Sequence, residues 1–270
     1  MTDEPPGPAH RPEPPAYRPE PPGPAYRPEP PGPAYRPEPP APPGPVIDAV
    51  IPARNEVATV AAVVEACLAC EHTSEVIVVD DGSSDGTAEA ALAAGAKVVR
   101  REVSSGSKGA AMAAGVAASG ADAFLFCDAD CLGLRPEHLD AICRPVLEGR
   151  AAMSVGWFDY GWWNPVVRVM APTSGERLVP RWVWDGVAPE RRQGYDIEVM
   201  LNEVVCEGRL PVTVRTMAGV THRTKREKYG PRQGRRETWR MFWHLIGLPV
   251  RGVVRWRTYW FLWRDMTIEH

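Results

Sequence analysis

The sequence predicts an α/β protein with a mostly parallel β-sheet and flanking helices. Short apolar runs alternate with Ala- and Val-rich stretches of helical length between residues 46 and 130, the pattern of a doubly wound parallel sheet. Three successive strands end in polar loops, and ligands bind at this edge of open α/β sheets. The 225 residues that follow residue 45 of the 270-residue chain are enough for one well-buried core.

The predicted elements follow one another with short connections. In chain order they are strand Val46–Ile51, helix Val57–Ala69, strand Val76–Val79, helix Ala88–Ala94, strand Ala96–Arg100, helix Ala110–Ala118 and strand Ala123–Cys127. In the second half, a helix is predicted over Val199–Cys206 and a strand over Val212–Met217.

The carboxylate pair Asp128-Ala129-Asp130 is the most informative motif, because it directly follows a fully apolar strand. The spacing lets one acid face a hydroxyl-bearing ligand while the other reaches a divalent cation. Mg²⁺ prefers oxygen ligands and is usually held by one or two carboxylates plus phosphate oxygens. The pair therefore indicates a metal-bridged diphosphate, although an acid pair at a strand end also occurs without a ligand.

Polar residues at the other strand ends support a ligand at the same edge. The first strand ends in Pro52-Ala53-Arg54-Asn55-Glu56 and the second in Asp80-Asp81-Gly82-Ser83-Ser84-Asp85-Gly86-Thr87. Asp85 and Thr87 are predicted to cap the next helix, which leaves Asp80 and Asp81 to face a ligand. Lys108 lies between glycines in a predicted flexible loop, where an ammonium group can approach a diphosphate.

These motifs, together with Lys108-Gly109, resemble the nucleotide-binding half of family 2 glycosyltransferases, which have the GT-A fold. The resemblance covers about residues 46 to 230 and is strongest to the glucosyl-3-phosphoglycerate synthase and polyprenyl-phosphate sugar synthase types. It implies a nucleotide-sugar donor, a UDP- or GDP-sugar, bound by Pro52, Ala53, Asn55, Glu56, Asp80, Asp81, Lys108 and Asp128.

The resemblance also implies a metal site and a catalytic segment. Asp130 would bind Mg²⁺ or Mn²⁺, and His222, in the segment Val220-Thr221-His222-Arg223, would add a ligand. The segment Gly194-Tyr195-Asp196-Ile197-Glu198 corresponds to the family's Gly-Tyr-x-x-Glu. We expect Glu198 to lie under the sugar or acceptor and Asp196 to be the candidate base.

The acceptor is the least determined part of the prediction. The segment 173–179 resembles an acceptor loop, so Gly175, Glu176 and Arg223 are the expected acceptor-binding residues. However, the arginine and threonine that grip phosphoglycerate in that family are not clearly matched. The arginine-tryptophan signature of processive synthases is absent, which favours transfer of a single sugar.

The sequence therefore predicts metal-dependent transfer of one sugar to a small phosphorylated or a polyprenyl-phosphate acceptor. A sugar-nucleotide pyrophosphorylase is one alternative, but that class carries a Gly-rich loop where this chain has Pro52-Ala53-Arg54-Asn55-Glu56. The other alternative is a non-catalytic scaffold of the same fold, tethered by its proline-rich tail.

Two segments flank the predicted domain of residues 46–230. Residues 1–45 repeat Tyr-Arg-Pro-Glu-Pro-Pro-Gly-Pro-Ala and have too few apolar side chains to offset ordering, so we expect a disordered tail with polyproline II preference. Residues 231–270 are predicted to form a helical extension. From Arg223 to Arg264 there are twelve basic residues interleaved with tryptophans, so the extension either contacts a membrane interface or packs on the domain or a second subunit.

Composition bounds the remaining functions. The net charge of −3 gives no reason to expect a nucleic-acid partner. The amino terminus lacks a basic start and an apolar run, so we expect no secretory signal, and no apolar run reaches the ~18 residues of a membrane span. The six cysteines are predicted to be reduced core residues in a cytoplasmic protein, with contact at the membrane surface as the open alternative.

Overall fold

This computed structural model describes residues 44–102, 106–158, 174–192, 197–223, 260–262, 264 and 266–269. Ten strands and six α-helices have defined bounds in these ranges, and residues 260–262 and 264 are also helical. The strands are β1 (Ile47–Ala53), β2 (Glu75–Asp80), β3 (Lys97–Arg100), β4 (Ala123–Phe126), β5 (Cys131–Leu132), β6 (Met153–Phe158), β7 (Arg177–Pro180), β8 (Val212–Met217), β9 (Thr221–His222) and β10 (Met266–Glu269). The helices are α1 (Val60–Leu68), α2 (Thr87–Ala93), α3 (Lys108–Ala117), α4 (Pro136–Leu147), α5 (Arg181–Asp185) and α6 (Ile197–Glu207).

Eight of these strands form one sheet in the order β10-β8-β6-β7-β4-β1-β2-β3. All neighbouring pairs are parallel except those of β7, which runs antiparallel to both β4 and β6. The strand order reverses beside β1, since β2 and β4 lie on its two sides. This mostly parallel, doubly wound sheet confirms the predicted fold class and brings the carboxyl ends of β1, β2 and β4 together.

The sheet separates two apolar cores, and the alternation of β1 shows why. Ile47 and Ile51 pack with α1 and α4 on one face, whereas Val50 packs with α3, α5 and α6 on the other. Side chains alternate across a strand, so a strand buried on both faces is apolar at nearly every position. Gly115 lets α3 lie close to β1, because a Cβ at this position would collide with the side chain of Val50.

A small second ladder lies beyond the carboxyl end of β4. β5 pairs antiparallel with β9, which places Cys131 opposite His222 and Leu132 opposite Thr221. The backbone N–H of Arg223 donates to the carbonyl of Asp130 at 3.1 Å. This ladder joins two segments that are about ninety residues apart in the sequence.

The carboxyl-terminal segment differs from the prediction at its end. Met266–Glu269 form a strand, not a helix, and pair in parallel with β8 at the edge of the sheet. The physical reason is that the edge of β8 presents backbone groups that a further strand satisfies. Most of the predicted extension and the tail lie outside the described residues, so the boundaries at 45 and 230 stay predictions.

Among the helices in the described ranges, none is long and apolar enough to cross a membrane.

The six cysteines are all buried and none is in a disulfide, as predicted for core residues. The Sγ atoms of Cys67 and Cys127 lie 3.7 Å apart, and the Cys70 thiol donates to Asp140 at 3.1 Å. A hydrogen bond with Cys67 and burial raise the pKa of Cys127, which keeps it a neutral thiol. Cys67 and Cys70, which are separated by two residues, therefore belong to the core against which α1 packs.

Candidate active site

The loops after β1 and β2 are joined by reciprocal hydrogen bonds. The N–H of Asn55 donates to Oγ of Ser83 at 3.0 Å, and the N–H of Ser84 donates to Oδ1 of Asn55 at 2.9 Å. Asn55 has φ +56°, a left-handed conformation that asparagine tolerates better than most residues. The two predicted donor-binding loops therefore form one rigid unit at the sheet edge.

Thr87 and Glu56 extend the same unit. The N–H of Glu56 donates to Oγ1 of Thr87 at 2.8 Å, and the N–H of Thr87 donates to Oδ1 of Asp85 at 3.1 Å. The residue at the N-cap of α2 is Gly86, and not Asp85 or Thr87 as predicted. The side chains of Asp85 and Thr87 instead tie the start of α2 to the loop after β1. The Glu56 carboxylate lies 3.7 Å from the guanidinium of Arg223, which connects the loop to the segment after β9.

An open pocket of about 130 Å³ lies against these loops. It is lined by Pro52, Ala53, Arg54, Asp81, Gly106, Ser107, Lys108 and Ala111. The Asp81 carboxylate lies 2.7 Å from a guanidinium nitrogen of Arg101, whereas Oδ1 of Asp80 accepts the N–H of Ser83 at 3.0 Å. Asp81 therefore lines the pocket, and Asp80 stabilises the turn that supports it.

Lys108 connects the two acids that were predicted to contact the donor and the sugar. It is the first residue of α3, after the cap Ser107, and not part of a loop as predicted. Its ammonium forms an ion pair with Asp128 and lies 2.7 Å from Oε1 of Glu198. Burial alone would lower the pKa of Lys108, but Asp128 and Glu198 outweigh this and raise it, so Lys108 is a permanent cation.

The backbone of Gly175 packs directly on the carboxylate of Asp128. A Cβ at this position would collide with both carboxylate oxygens. Glycine is therefore the residue that permits this approach. Gly175 and Lys108 together determine where the Asp128 carboxylate lies.

Glu176 and Arg177 lie below this acid and are both fully buried, with no exposed surface. The guanidinium of Arg177 donates to the carbonyls of Ser174 (3.0 Å from Nε) and Glu198 (3.2 Å). Burial, and then the charge of Asp128, raise the pKa of Glu176 to about 7. Because the Glu176 carboxylate faces the interior, its side chain is not positioned to contact an acceptor, which corrects the prediction for this residue.

The two predicted metal ligands are brought together by the β5–β9 ladder. Asp130 directly precedes β5, and His222 lies opposite Cys131 with its ring 5.3 Å from that of Phe158. Within the described ranges, no group of three or more His, Cys, Asp or Glu side chains is arranged to hold a metal. One carboxylate and one imidazole fit a Mg²⁺ or Mn²⁺ ion that takes its other ligands from a bound diphosphate.

The structure thus brings most of the predicted residues to one edge of the sheet, while Asp196 lies outside the described residues. Sequence reasoning did not identify Arg101, Thr59 and Arg177 as parts of the site. Oγ1 of Thr59 donates to the carbonyl of Ala129 at 2.7 Å. For Arg177, the available signal in the sequence was its position directly before the apolar residues Leu178 and Val179, where a charged side chain is unusual.

This fold and this edge define an α/β protein of the class in which ligands bind beyond the carboxyl ends of parallel strands. Residues 48–198 match the family described as glycosyl transferase family 2. The match includes more than half of the chain, so the protein belongs to this family.

Several relatives share one description. A glucosyl-3-phosphoglycerate synthase of Mycobacterium tuberculosis (strain H37Rv) is 36% identical over 124 residues, which are 43% of this chain and 38% of that protein. The synthase of Mycolicibacterium smegmatis is 37% identical over 112 residues, 38% of this chain and 37% of the relative. The chain therefore matches little more than a third of the length of these curated relatives.

Solved structures of the M. tuberculosis synthase are similar over a longer stretch. One complex with Mn²⁺, UDP-glucose and phosphoglyceric acid has a TM-score of 0.63 and 25% identity, and covers 78% of this chain and 81% of its own. Another, with Mn²⁺, UDP and glucosyl-3-phosphoglycerate, has a TM-score of 0.57 and 27% identity, and covers 67% and 72%. These similarities agree with the predicted GT-A fold.

Proposed function

We propose that this protein transfers a single sugar from a nucleotide-diphosphate-sugar to a small phosphorylated acceptor, with Mg²⁺ or Mn²⁺. The observation that carries the proposal is the Lys108 ammonium, which lies between Asp128 and Glu198 and lines the pocket. The β5–β9 ladder brings the His222 segment beside the turn that contains Asp130. This arrangement combines a carboxylate for ribose, a cation for the diphosphate and an acid for the sugar. Each group is thus matched to one part of a sugar-nucleotide donor.

The donor is proposed to lie along the joined loops. Pro52, Ala53 and Asp81 line the pocket together, and the N–H of Asp81 donates to the carbonyl of Ala53 at 2.9 Å. A nucleobase would contact the backbone of Pro52 and Ala53 and the carboxylate of Asp81. Asn55 and Glu56 maintain the geometry of the first loop, and Asp80 maintains that of the second. UDP is the nucleotide we favour, because the similar solved structures contain UDP or UDP-glucose.

Asp130 and His222 are the residues proposed to hold the metal. A bound divalent cation would offset charge on the leaving diphosphate as a Lewis acid. Lys108 is proposed to stabilise the rest of the negative charge on the leaving diphosphate. Its own positive charge is retained at every physiological pH because two carboxylates stabilise it. Donors fixed in advance stabilise developing charge without reorganisation.

Transfer exchanges one bond to the anomeric carbon for another. The bond from this carbon to the β-phosphate oxygen breaks, and its electron pair leaves with the nucleoside diphosphate. The acceptor hydroxyl oxygen forms the new bond and loses its proton, for which Asp196 is the proposed base. Glu198 is buried next to Lys108 and is proposed to contact the sugar.

For the acceptor, phosphoglycerate is the molecule we favour, since similar structures are complexes with phosphoglyceric acid or glucosyl-3-phosphoglycerate. Gly175 and Arg223 are the acceptor contacts we propose. Arg177 is not available for this role, because it is fully buried and donates to oxygens inside the protein. A polyprenyl phosphate is the alternative acceptor.

The proposal is tested by transfer assays with the full chain. UDP-glucose, GDP-glucose and GDP-mannose are each incubated with 3-phosphoglycerate or a short polyprenyl phosphate, with Mn²⁺, with Mg²⁺ or with a chelator. We expect metal-dependent release of UDP and a glycosylated phosphoglycerate. Tight donor binding without transfer to any acceptor would instead support the scaffold alternative.

Peripheral membrane contact and a homodimer remain proposals that rest on the sequence of residues 231–270. Co-sedimentation with anionic and with neutral vesicles tests the first, and sedimentation velocity tests the second. Binding to anionic vesicles that ~0.5 M salt releases would support membrane contact, because salt screens such attraction. Its absence at low salt would remove the main support for a lipid acceptor.

A further inference from the structure

The turn that carries Asp128 and Asp130 is held by its neighbours at each of its four residues. The carbonyl of Ala129 accepts from Thr59 at 2.7 Å, and the carbonyl of Asp130 accepts from the N–H of Arg223 at 3.1 Å. The other two residues share one partner. Oε1 of Glu176 accepts the N–H of Asp128 at 3.2 Å and the thiol of Cys131 at 2.9 Å.

Glu176 is itself fixed from two sides. Oγ of Ser174 donates to its second carboxylate oxygen at 2.5 Å. Its backbone carbonyl accepts the N–H of Gly156 in β6 at 2.7 Å. The main chain of Glu176 is therefore anchored to the sheet independently of its side chain, and only the length of the side chain determines how far the carboxylate reaches.

We infer that Glu176 is a positioning residue for the donor and metal site, whose carboxylate clamps both ends of the turn from Asp128 to Cys131. The inference rests on the proposed function, because the turn presents the proposed ribose and metal contacts. It assigns Glu176 a role beneath the donor rather than at the acceptor. Partners that orient a metal ligand from behind are commonly worth 10–100-fold in metal affinity or activity.

Two conservative substitutions distinguish the effect of the length of the Glu176 side chain from the effect of its charge. Glu176→Asp keeps the carboxylate but withdraws it by about 1.5 Å, the length of one carbon–carbon bond. Glu176→Gln keeps the reach and retains an oxygen that can accept from both Asp128 and Cys131, but it removes the charge. If position is what matters, the Asp variant is impaired and the Gln variant is close to wild type.

The experiment measures Mn²⁺ affinity by electron paramagnetic resonance in the presence of UDP, together with kcat and the KM values for UDP-glucose and for the acceptor. We expect Mn²⁺ binding by Glu176→Asp to weaken ~10-fold or more and its kcat to fall more than its KM for the acceptor rises. Asp48→Asn is the matched control, since Asp48 is a buried acid that also accepts from a serine, Ser119. It lies near the amino end of β1, so it should bind Mn²⁺ as wild type does.

Each outcome decides the inference. Impairment of Glu176→Asp with near-normal Glu176→Gln supports positioning. The reverse order would show that charge, not reach, is the contribution. Equal losses in both variants that follow their unfolding midpoints would make Glu176 a purely structural residue, and unchanged Mn²⁺ binding in both would also overturn the inference. Failure of the wild type to bind Mn²⁺ with UDP would instead refute the proposed function.

Discussion

Asp130 is the residue on which the proposed metal site depends most. We expect Asp130→Asn to abolish metal-dependent nucleotide binding and to lower the transfer rate by ~100-fold or more, because stabilisation of the leaving diphosphate is lost. Calorimetry with UDP, with and without Mn²⁺, measures the first effect.

Asp122→Asn is the control for this change, because the two aspartates lie beyond opposite ends of β4. Asp122 accepts the N–H of Val46 and lies far from the proposed ligand edge. The same unfolding midpoint is expected for Asp130→Asn and wild type. Normal turnover by Asp130→Asn would contradict the metal assignment.

Gly175 tests the position of the neighbouring acid. Gly175→Ala adds a Cβ that collides with the Asp128 carboxylate, so we expect the carboxylate to move and UDP-glucose affinity to fall. Overpacking of this kind typically costs about 1–3 kcal/mol in stability. Isothermal titration calorimetry and thermal unfolding measure the two effects.

The matched control is Gly120→Ala, because an added Cβ there meets nothing within 4 Å. It should leave both affinity and stability close to wild type. A Gly175→Ala protein that binds UDP-glucose normally would show that the Asp128 carboxylate is not held against this backbone.

At the scale of elements, the β5–β9 ladder is what turns separate motifs into a site. The two strands have only two residues each, yet they place the His222 segment beside the Asp130 turn. A sequence motif cannot specify this approach, because it depends on the pairing of segments far apart in the chain.

The edge strand β10 offers a test at the same scale. Glu269 pairs with Arg150 at 2.6 Å and with Arg215 at 3.1 Å, but these side chains are partly exposed. We expect Glu269→Ala to lower the free energy of unfolding by less than about 1 kcal/mol, as surface ion pairs do. Deletion of residues 266–270 should destabilise the protein several-fold more, because β8 loses its backbone partners. Urea unfolding compares the two proteins, and equal losses would show that the ion pairs, not the strand, stabilise this edge.

At the scale of the whole molecule, the burial of Glu176 predicts how stability depends on pH. The pKa of Glu176 is about 7 in the folded protein against 4.5 normally, so the folded state binds the proton more tightly. The stabilisation of the folded state by the protonated Glu176 side chain is fully present below pH ~4.5 and is lost as the pH rises through ~7. The difference in unfolding free energy between wild type and Glu176→Gln should therefore fall by about 3 kcal/mol across this range. Urea unfolding at pH 4.5, 6 and 8 measures it, and a constant difference would contradict the prediction.

We expect the proline-rich tail to contribute neither to stability nor to catalysis. Residues 1–44 contain few apolar side chains that could pack on the domain. We expect their removal to leave the unfolding midpoint and transfer to a small acceptor unchanged. A lower midpoint in thermal unfolding of the truncated protein would show that the tail packs on the domain.

The sequence by itself determined the alternation of strands and helices, because burial on both faces of a parallel sheet requires apolar strands, which are visible without a structure. It also determined which strand ends carry polar loops, and hence the edge with Asp81, Asp128 and Asp130 that we propose for the donor. Family membership follows from the same motifs.

Only the tertiary structure decided how those side chains are held. The Lys108 bridge, the contact of Gly175 with Asp128 and the inward direction of Glu176 each join segments about 45 to 90 residues apart. Local pattern reports which residues are polar and not which of them become buried, so Glu176 was expected at the acceptor. Burial and pairing are properties of the packed fold. For this reason, only the tertiary structure shows that Glu176 and Arg177 are buried and which groups they contact.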